Sequence, residues 1–223
     1  MYQFNAATAA EADNISAYLD ETGKYKGKFT RAEKLVSTNK GTHGIGFTFE
    51  DESKRTCRFD LWTMDRDNKP LMGFKSVQAI LAVLRFPAGR ELKVLQAQVD
   101  RYDYDTRQTN KVTAETFPDL INRPIGLVMR NTEYAKMRDG QLTGETGWRL
   151  ELVVPFQADT ELTASEVVGN KTQPQKLSSI LATIADRPLK TRPAGASHRT
   201  DHGGPPPGHP AAGGFDDFGD APY

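Results

Sequence analysis

The residues with the clearest chemical potential lie between Gly23 and Thr63, where cationic and aromatic side chains alternate. Lys24, Lys26 and Lys28 are spaced by two, with Tyr25, Phe29 and Leu35 in the other register. Successive strand side chains point to opposite sides, so the lysines fall on one face and the apolar set on the other. Ile45-Gly46-Phe47-Thr48-Phe49 repeats the alternation, and Arg55 to Trp62 sets Cys57, Phe59 and Leu61 against Arg58 and Trp62. A tryptophan beside arginine on a polar face suits a stacking platform in a basic groove, where rings stack on bases and cations neutralise phosphates. An indole covered by a loop or the next helix explains the same position. The strands alone leave both readings open.

The elements that must position these groups can be read in order. Thr8-Ala9-Ala10-Glu11 has the form of a capping box, and with Ile15, Tyr18 and Leu19 it predicts a helical extension over residues 1–22. After the three strands, the polar turn Asp65 to Pro70 leads to a helix whose stripe is Phe74, Val77, Ile80, Leu81 and Leu84, ended by Pro87. Val94 to Val99 reads as an extra strand, and Arg101 to Arg107 mixes rings and charges without a dominant period. Ile125, Leu127 and Met129 open a fourth main strand with Arg130 on its other face, and Trp148 to Val154 forms the fifth. Leu177, Ile180, Leu181 and Ile184 predict a last helix within residues 174–184. Residues 190–223 are rich in proline and glycine and predict a disordered linker.

Three strands, a helix and two strands is the order of the five-stranded OB-fold barrel, so the expectation is a mainly β domain over residues 1–189 with extra short helices and a disordered C-terminal tail. The chain has 223 residues, with 29 basic and 29 acidic side chains. Four aspartates and no cation lie in residues 201–223, leaving 29 basic against 25 acidic residues, or +4, in the preceding 200. A mildly basic body thus carries an acidic end. The lone Cys57 reads as a small core residue and excludes an internal disulfide, which fits a reducing cytoplasm. No apolar run approaches a membrane span and no secretory signal is evident, so the expectation is a cytoplasmic protein without a membrane partner.

Several segments together resemble the phage-encoded single-stranded DNA-binding proteins of the OB-fold type. They are Gly23-Lys24-Tyr25 with its basic strand, Phe59-Asp60-Leu61-Trp62-Thr63, Tyr102-Asp103-Tyr104-Asp105, Pro124-Ile125-Gly126-Leu127-Val128 and the acidic end. The resemblance implies a flexible linker ending in an acidic and aromatic tip, here Phe215, Asp216, Asp217, Phe218, Asp220, Pro222 and Tyr223, with Tyr223 where the best-known examples have Phe. It implies a non-catalytic protein that coats single strands during replication and recombination, in the host cytoplasm if phage-encoded. The tip would recruit partner proteins of those processes, and its carboxylates can imitate phosphates in the protein's own groove. For phosphate contacts the candidates are Lys26, Lys28, Arg31, Lys34, Arg58, Arg130 and Arg149, and for stacking Trp62, Tyr102, Tyr104 and Tyr134.

Rival chemistry finds little support in spacing. Asp65, Asp67 and Asn68 suggest a calcium loop only faintly, since Pro70 replaces the sixth-position glycine. Asp103 and Asp105 could serve a metal-dependent nuclease, the main alternative. One cysteine cannot complete a zinc set with His43, His198, His202 and His209, and Gly41, Gly44 and Gly46 precede a strand where a nucleotide loop needs a helix. No cofactor or metal is expected.

Overall fold

The computed structural model describes residues 16–38, 40–103, 106–138 and 141–190. The capping box at Thr8, the C-terminal linker and its acidic tip lie outside the described residues. Residues 16–22, read as the end of a helix, form none. Tyr18 instead makes a parallel bridge to Thr56, with Leu19 N–H donating to the Thr56 carbonyl and Leu19 entering the core.

The aromatic alternation does build the first three strands, β1 (Gly23–Val36), β2 (His43–Asp51) and β3 (Thr56–Met64), paired as an antiparallel meander. Phe29, Phe47, Phe49 and Phe59 all face one side. Their rings meet at centroid distances of 4.6 Å for Phe29–Phe47 and 5.4 Å for Phe47–Phe59. Ile125, Leu127 and Met129 complete this core from a later strand, and α1 (Met72–Val83) closes it with Val77, Ile80 and Val83. Pro87 is not what stops α1. Arg85 adopts a left-handed φ of 50°, while its N–H bonds to the Ala82 carbonyl and that of Phe86 to the Leu81 carbonyl, a Schellman turn made without glycine.

Among the described residues the sheet has seven strands where five were expected. The additions are the hairpin β4 (Leu95–Asp103) and β5 (Gln108–Thr116), followed by a 3-10 turn and then β6 (Pro124–Arg138) and β7 (Gln141–Phe156). β5 escaped sequence reading because the ribbon is exposed along most of its length, so it needs little apolar alternation. β1 organises the sheet. One edge pairs with β2, and the other pairs first with β6 over Gly23–Lys28 and then with β5 at Glu33. β7 follows on β6, and β3 and β7 approach each other, but no ladder joins them among the described residues. Every ladder between the described strands is antiparallel.

Two helices finish the described chain. α2 (Ala164–Val168) starts at a capping box between Thr163 and Glu166, and α3 (Lys176–Thr183) lays Leu177 and Ile180 on Val128 and Phe156 of β6 and β7. Glu166 links the two. It is 3 % exposed, yet its carboxylate accepts bonds from the backbone N–H of Thr163 (2.8 Å), Gln175 (2.7 Å) and Lys176 (2.9 Å) and from the Thr163 hydroxyl. Burial alone raises the pKa of this carboxyl. These donors outweigh it and hold the value at about 2. The lowered pKa stabilises the fold above the ordinary value of 4.5, and that contribution fades as the pH falls towards 2. Glu166→Ala is therefore expected to lose about 2–3 kcal/mol at neutral pH. In urea titrations its deficit against the parent should shrink between pH 5 and about 2; a pH-independent deficit would show that packing is what was lost.

Candidate nucleic-acid interface

A β-bulge decides which side chains of β1 share a face. Phe29 pairs with Phe49, but Arg31 pairs with Thr48, so Thr30 is the extra residue and parity changes there. Lys24, Lys26 and Lys28 before the bulge, and Arg31, Glu33 and Leu35 after it, all point away from the phenylalanine core. Simple alternation assigned Leu35 to the core face. It is buried, but on the outer side, while Lys34 moves to the side of Ile45.

The outer face has a regular grid. Arg31, Thr48 and Arg58 form one cross-strand row, Glu33, Gly46 and Asp60 the next, and Leu35, Gly44 and Trp62 the third. Glycine in β2 makes the floor shallow. A Cβ on Gly44 would stand 2.9 Å from the Leu61 carbonyl oxygen and 3.0 Å from the Trp62 ring, so glycine there gives the indole room to rest. Trp62 is partly buried, with its ring against Gly44 and its backbone against Gly73 at the start of α1, and part of its surface stays accessible.

Three arginines surround Asp60 electrostatically, Arg31 from β1, Arg58 from β3 and Arg149 from β7. Asp60 Oδ1 is buried and has no hydrogen-bond partner among the described residues. Burial pushes its carboxyl up to about 7 against the pull of Arg31, Arg149 and Arg58. Thr48 Oγ1 and Arg130 Nε are likewise buried without a partner among the described residues. Unmatched polar atoms are uncommon inside proteins, and these three belong to side chains of the outer face.

The β6–β7 pair continues this surface with the rows Arg130–Glu151, Thr132–Arg149 and Tyr134–Gly147. The Arg149 guanidinium lies 5.5 Å from the Tyr134 ring centroid and donates to Glu151 Oε1 at 3.0 Å. Glu151 also approaches Arg130 at 3.9 Å and Arg187 at 4.0 Å.

No family model matches the chain, and neither does any curated protein.

The sequence candidates divide into groups. Arg31, Arg58, Trp62, Arg130, Tyr134 and Arg149 lie on the outer face, and Arg58 is exposed with no ion pair among the described residues. Arg31 is only 9 % exposed. It is bound to Glu33 and to the Asp100 carbonyl at 3.1 Å, while Arg101 holds the other Glu33 oxygen at 2.6 Å. Burial, then Arg58 and Arg101, lower the Arg31 pKa to about 10. Its role is to anchor the β4–β5 ribbon. Lys26 is drawn with Lys24 to Glu161, at 3.0 and 2.9 Å, and Lys34 pairs with Glu115 at 2.7 Å. Lys28 has no ion pair among the described residues and stands opposite Glu50. Tyr102 belongs to β4 opposite Thr109, and Tyr104 lies outside the described residues, as do Phe215, Asp216, Asp217, Phe218, Asp220, Pro222 and Tyr223.

Sequence reasoning passed over Glu33, Asp60 and Arg101. The spacing Arg58-x-Asp60-x-Trp62 was the available signal for Asp60, since it sets all three on one face. The faint calcium motif resolves as an Asx turn, with Asp65 Oδ1 accepting from the Asp67 and Lys69 N–H groups. Cys57 is buried in the core, and burial pushes its thiol up to about 12.

Proposed function

We propose that the protein binds single-stranded DNA without sequence preference, as a non-catalytic relative of the phage-encoded OB-fold binders. It coats exposed strands in the cytoplasm and recruits replication and recombination proteins through its acidic tip. Five of the seven strands, β1, β2, β3, β6 and β7, are proposed to form the OB-type barrel, with the β4–β5 ribbon inserted after α1. The ladder path β3–β2–β1–β6–β7 and the position of α1 between β3 and β6 support this.

One observation carries the functional reading: Arg58, Trp62, Tyr134 and Arg149 share an outer face floored by Gly44 and Gly46. Energetics separate the cations. Partly exposed ion pairs such as Arg149–Glu151 are worth about 1 kcal/mol, so a phosphate can replace the carboxylate. The buried Arg31–Glu33 pair is far costlier to open, so Arg31 stays structural while Arg58 and Arg149 take phosphates.

Oligo-dT should quench the tryptophan fluorescence without magnesium and bind more tightly than matched duplex at two salt concentrations, with matched RNA titrated alongside to decide between the two single strands. Trp62→Ala is expected to weaken oligo-dT binding about 5- to 150-fold, for a lost stacking term of about 1–3 kcal/mol, with an unchanged circular dichroism spectrum. Removing Arg58 and Arg149 together should lower the salt slope by about 1.4, at roughly 0.7 per contact. Equal affinity for duplex would overturn the proposal, and shortening of the oligonucleotide on adding magnesium would favour a nuclease.

A further inference from the structure

We propose that Asp60 makes strand binding on this face proton-linked: its ionised carboxylate and the bound phosphates compete for the same guanidinium groups, so the strand binds tightest when Asp60 carries a proton. The inference rests on the function proposed above and concerns the regulation of that same surface.

The geometry comes from every element around the group. β1 contributes Arg31 and, in the same cross-strand row, Glu33; β3 contributes Arg58; β7 contributes Arg149 and its partner Glu151; β4 reaches Glu33 through Arg101. β2 offers only Gly44, Gly46 and Thr48 beside Asp60 and its neighbours. Glu33 is already bound by Arg31 and Arg101, and Glu151 by Arg149. Asp60 is the acid here whose Oδ1 has no hydrogen-bond partner among the described residues. It is also the carboxyl whose charge is hardest to hold, because burial raises it to about 7.

A phosphate brought to Arg58 and Arg149 adds negative charge beside Asp60 and takes away positive charge that had stabilised its carboxylate. Both effects raise the Asp60 pKa further in the complex. Binding near neutral pH therefore takes up a proton, which Asp60 keeps until the strand leaves. Affinity is flat well below pH 7 and falls as the pH rises above it.

The test measures Kd of the full chain for oligo-dT from pH 5.5 to 8.5 at constant ionic strength, since thymine does not titrate in that window. A single linked proton with a free-protein pKa near 7 predicts about a ten-fold weakening between pH 6 and pH 8. Asp60→Asn is isosteric and should bind at pH 8 about as tightly as the parent does at pH 6. Any slope from His43, His198, His202 or His209 survives in that variant, so the difference between the two proteins is the readout. Calorimetry of the unaltered chain at pH 7, in two buffers of different ionisation enthalpy, should show net proton uptake on binding. Tight binding with equal pH slopes in parent and variant, or no proton uptake, overturns the linkage but leaves the function intact. Failure of oligo-dT to bind at any pH overturns both.

Discussion

Glu33→Ala is expected to destabilise the protein by about 3–5 kcal/mol, because it removes the carboxylate to which a buried guanidinium is bound. Glu33 is 2 % exposed and holds Arg31 on one oxygen and Arg101 on the other. Arg31 cannot simply turn to solvent, since it is itself 9 % exposed and also donates to the Asp100 carbonyl. The loss reaches beyond one pair. Among the described residues, β5 meets β1 in a ladder only at Glu33–Thr116, so the ribbon depends on Arg31 and Arg101 for its seat. Urea denaturation should register the full loss, and proteolysis within the β4–β5 ribbon should accelerate in the variant. Glu115→Ala, which breaks only the half-exposed pair with Lys34, should cost less than about 1 kcal/mol. Equal effects of the two substitutions would mean that the Glu33 cluster carries no special weight.

A second large effect is expected from Gly27→Ala. Gly27 lies where β1 is flanked by Asp51 of β2 on one edge and Ile125 of β6 on the other. A Cβ there would fall 2.0 Å from the Glu50 carbonyl oxygen and 2.8 Å from the Asp51 Cα. Both obstacles are backbone, so no rotamer relieves them and the strands must separate. The expected loss is about 3 kcal/mol or more, seen as a lowered urea midpoint or as failure to accumulate soluble protein. Gly23→Ala is the control, because its Cβ would meet nothing closer than 3.5 Å from the Tyr25 ring. If Gly27→Ala denatures within about 1 kcal/mol of the parent, β1 and β2 do not approach as closely as described.

Much of the core was legible because its periodicity is local. Ile45, Phe47 and Phe49 alternate without interruption, and all three enter the core they predict. The α1 stripe behaved likewise, since Val77, Ile80 and Leu84 are buried at helical spacing. The end of that helix was less legible. Pro87 is a visible stop signal, but the chain had already turned at Arg85 in a conformation usually given to glycine. The β4–β5 ribbon was half hidden, because a strand pair wetted on most of its surface does not need the apolar pattern that betrays a buried one.

The candidate interface was legible as a list of residue types and not as an arrangement. Arg58 and Trp62 were placed together correctly, being four residues apart, and so on one face, of an uninterrupted strand. Arg31 was read as a phosphate ligand, whereas it lies buried against Glu33. The β4 strand that covers the pair, through the Asp100 carbonyl and Arg101, is 69 and 68 residues away in sequence, which spacing alone does not reveal.

The sequence by itself determined the strand faces of β2 and β3, the stripe of α1 and the polar setting of Trp62, because each depends on spacing between near neighbours. Tertiary structure alone decided the bulge at Thr30, the seat of the ribbon on Glu33 and the meeting of Arg31, Arg58 and Arg149 around Asp60. The physical reason is that a bulge is set by the register between partner strands, and burial of a charge by whatever element comes to cover it. Neither quantity exists until the distant strands have paired.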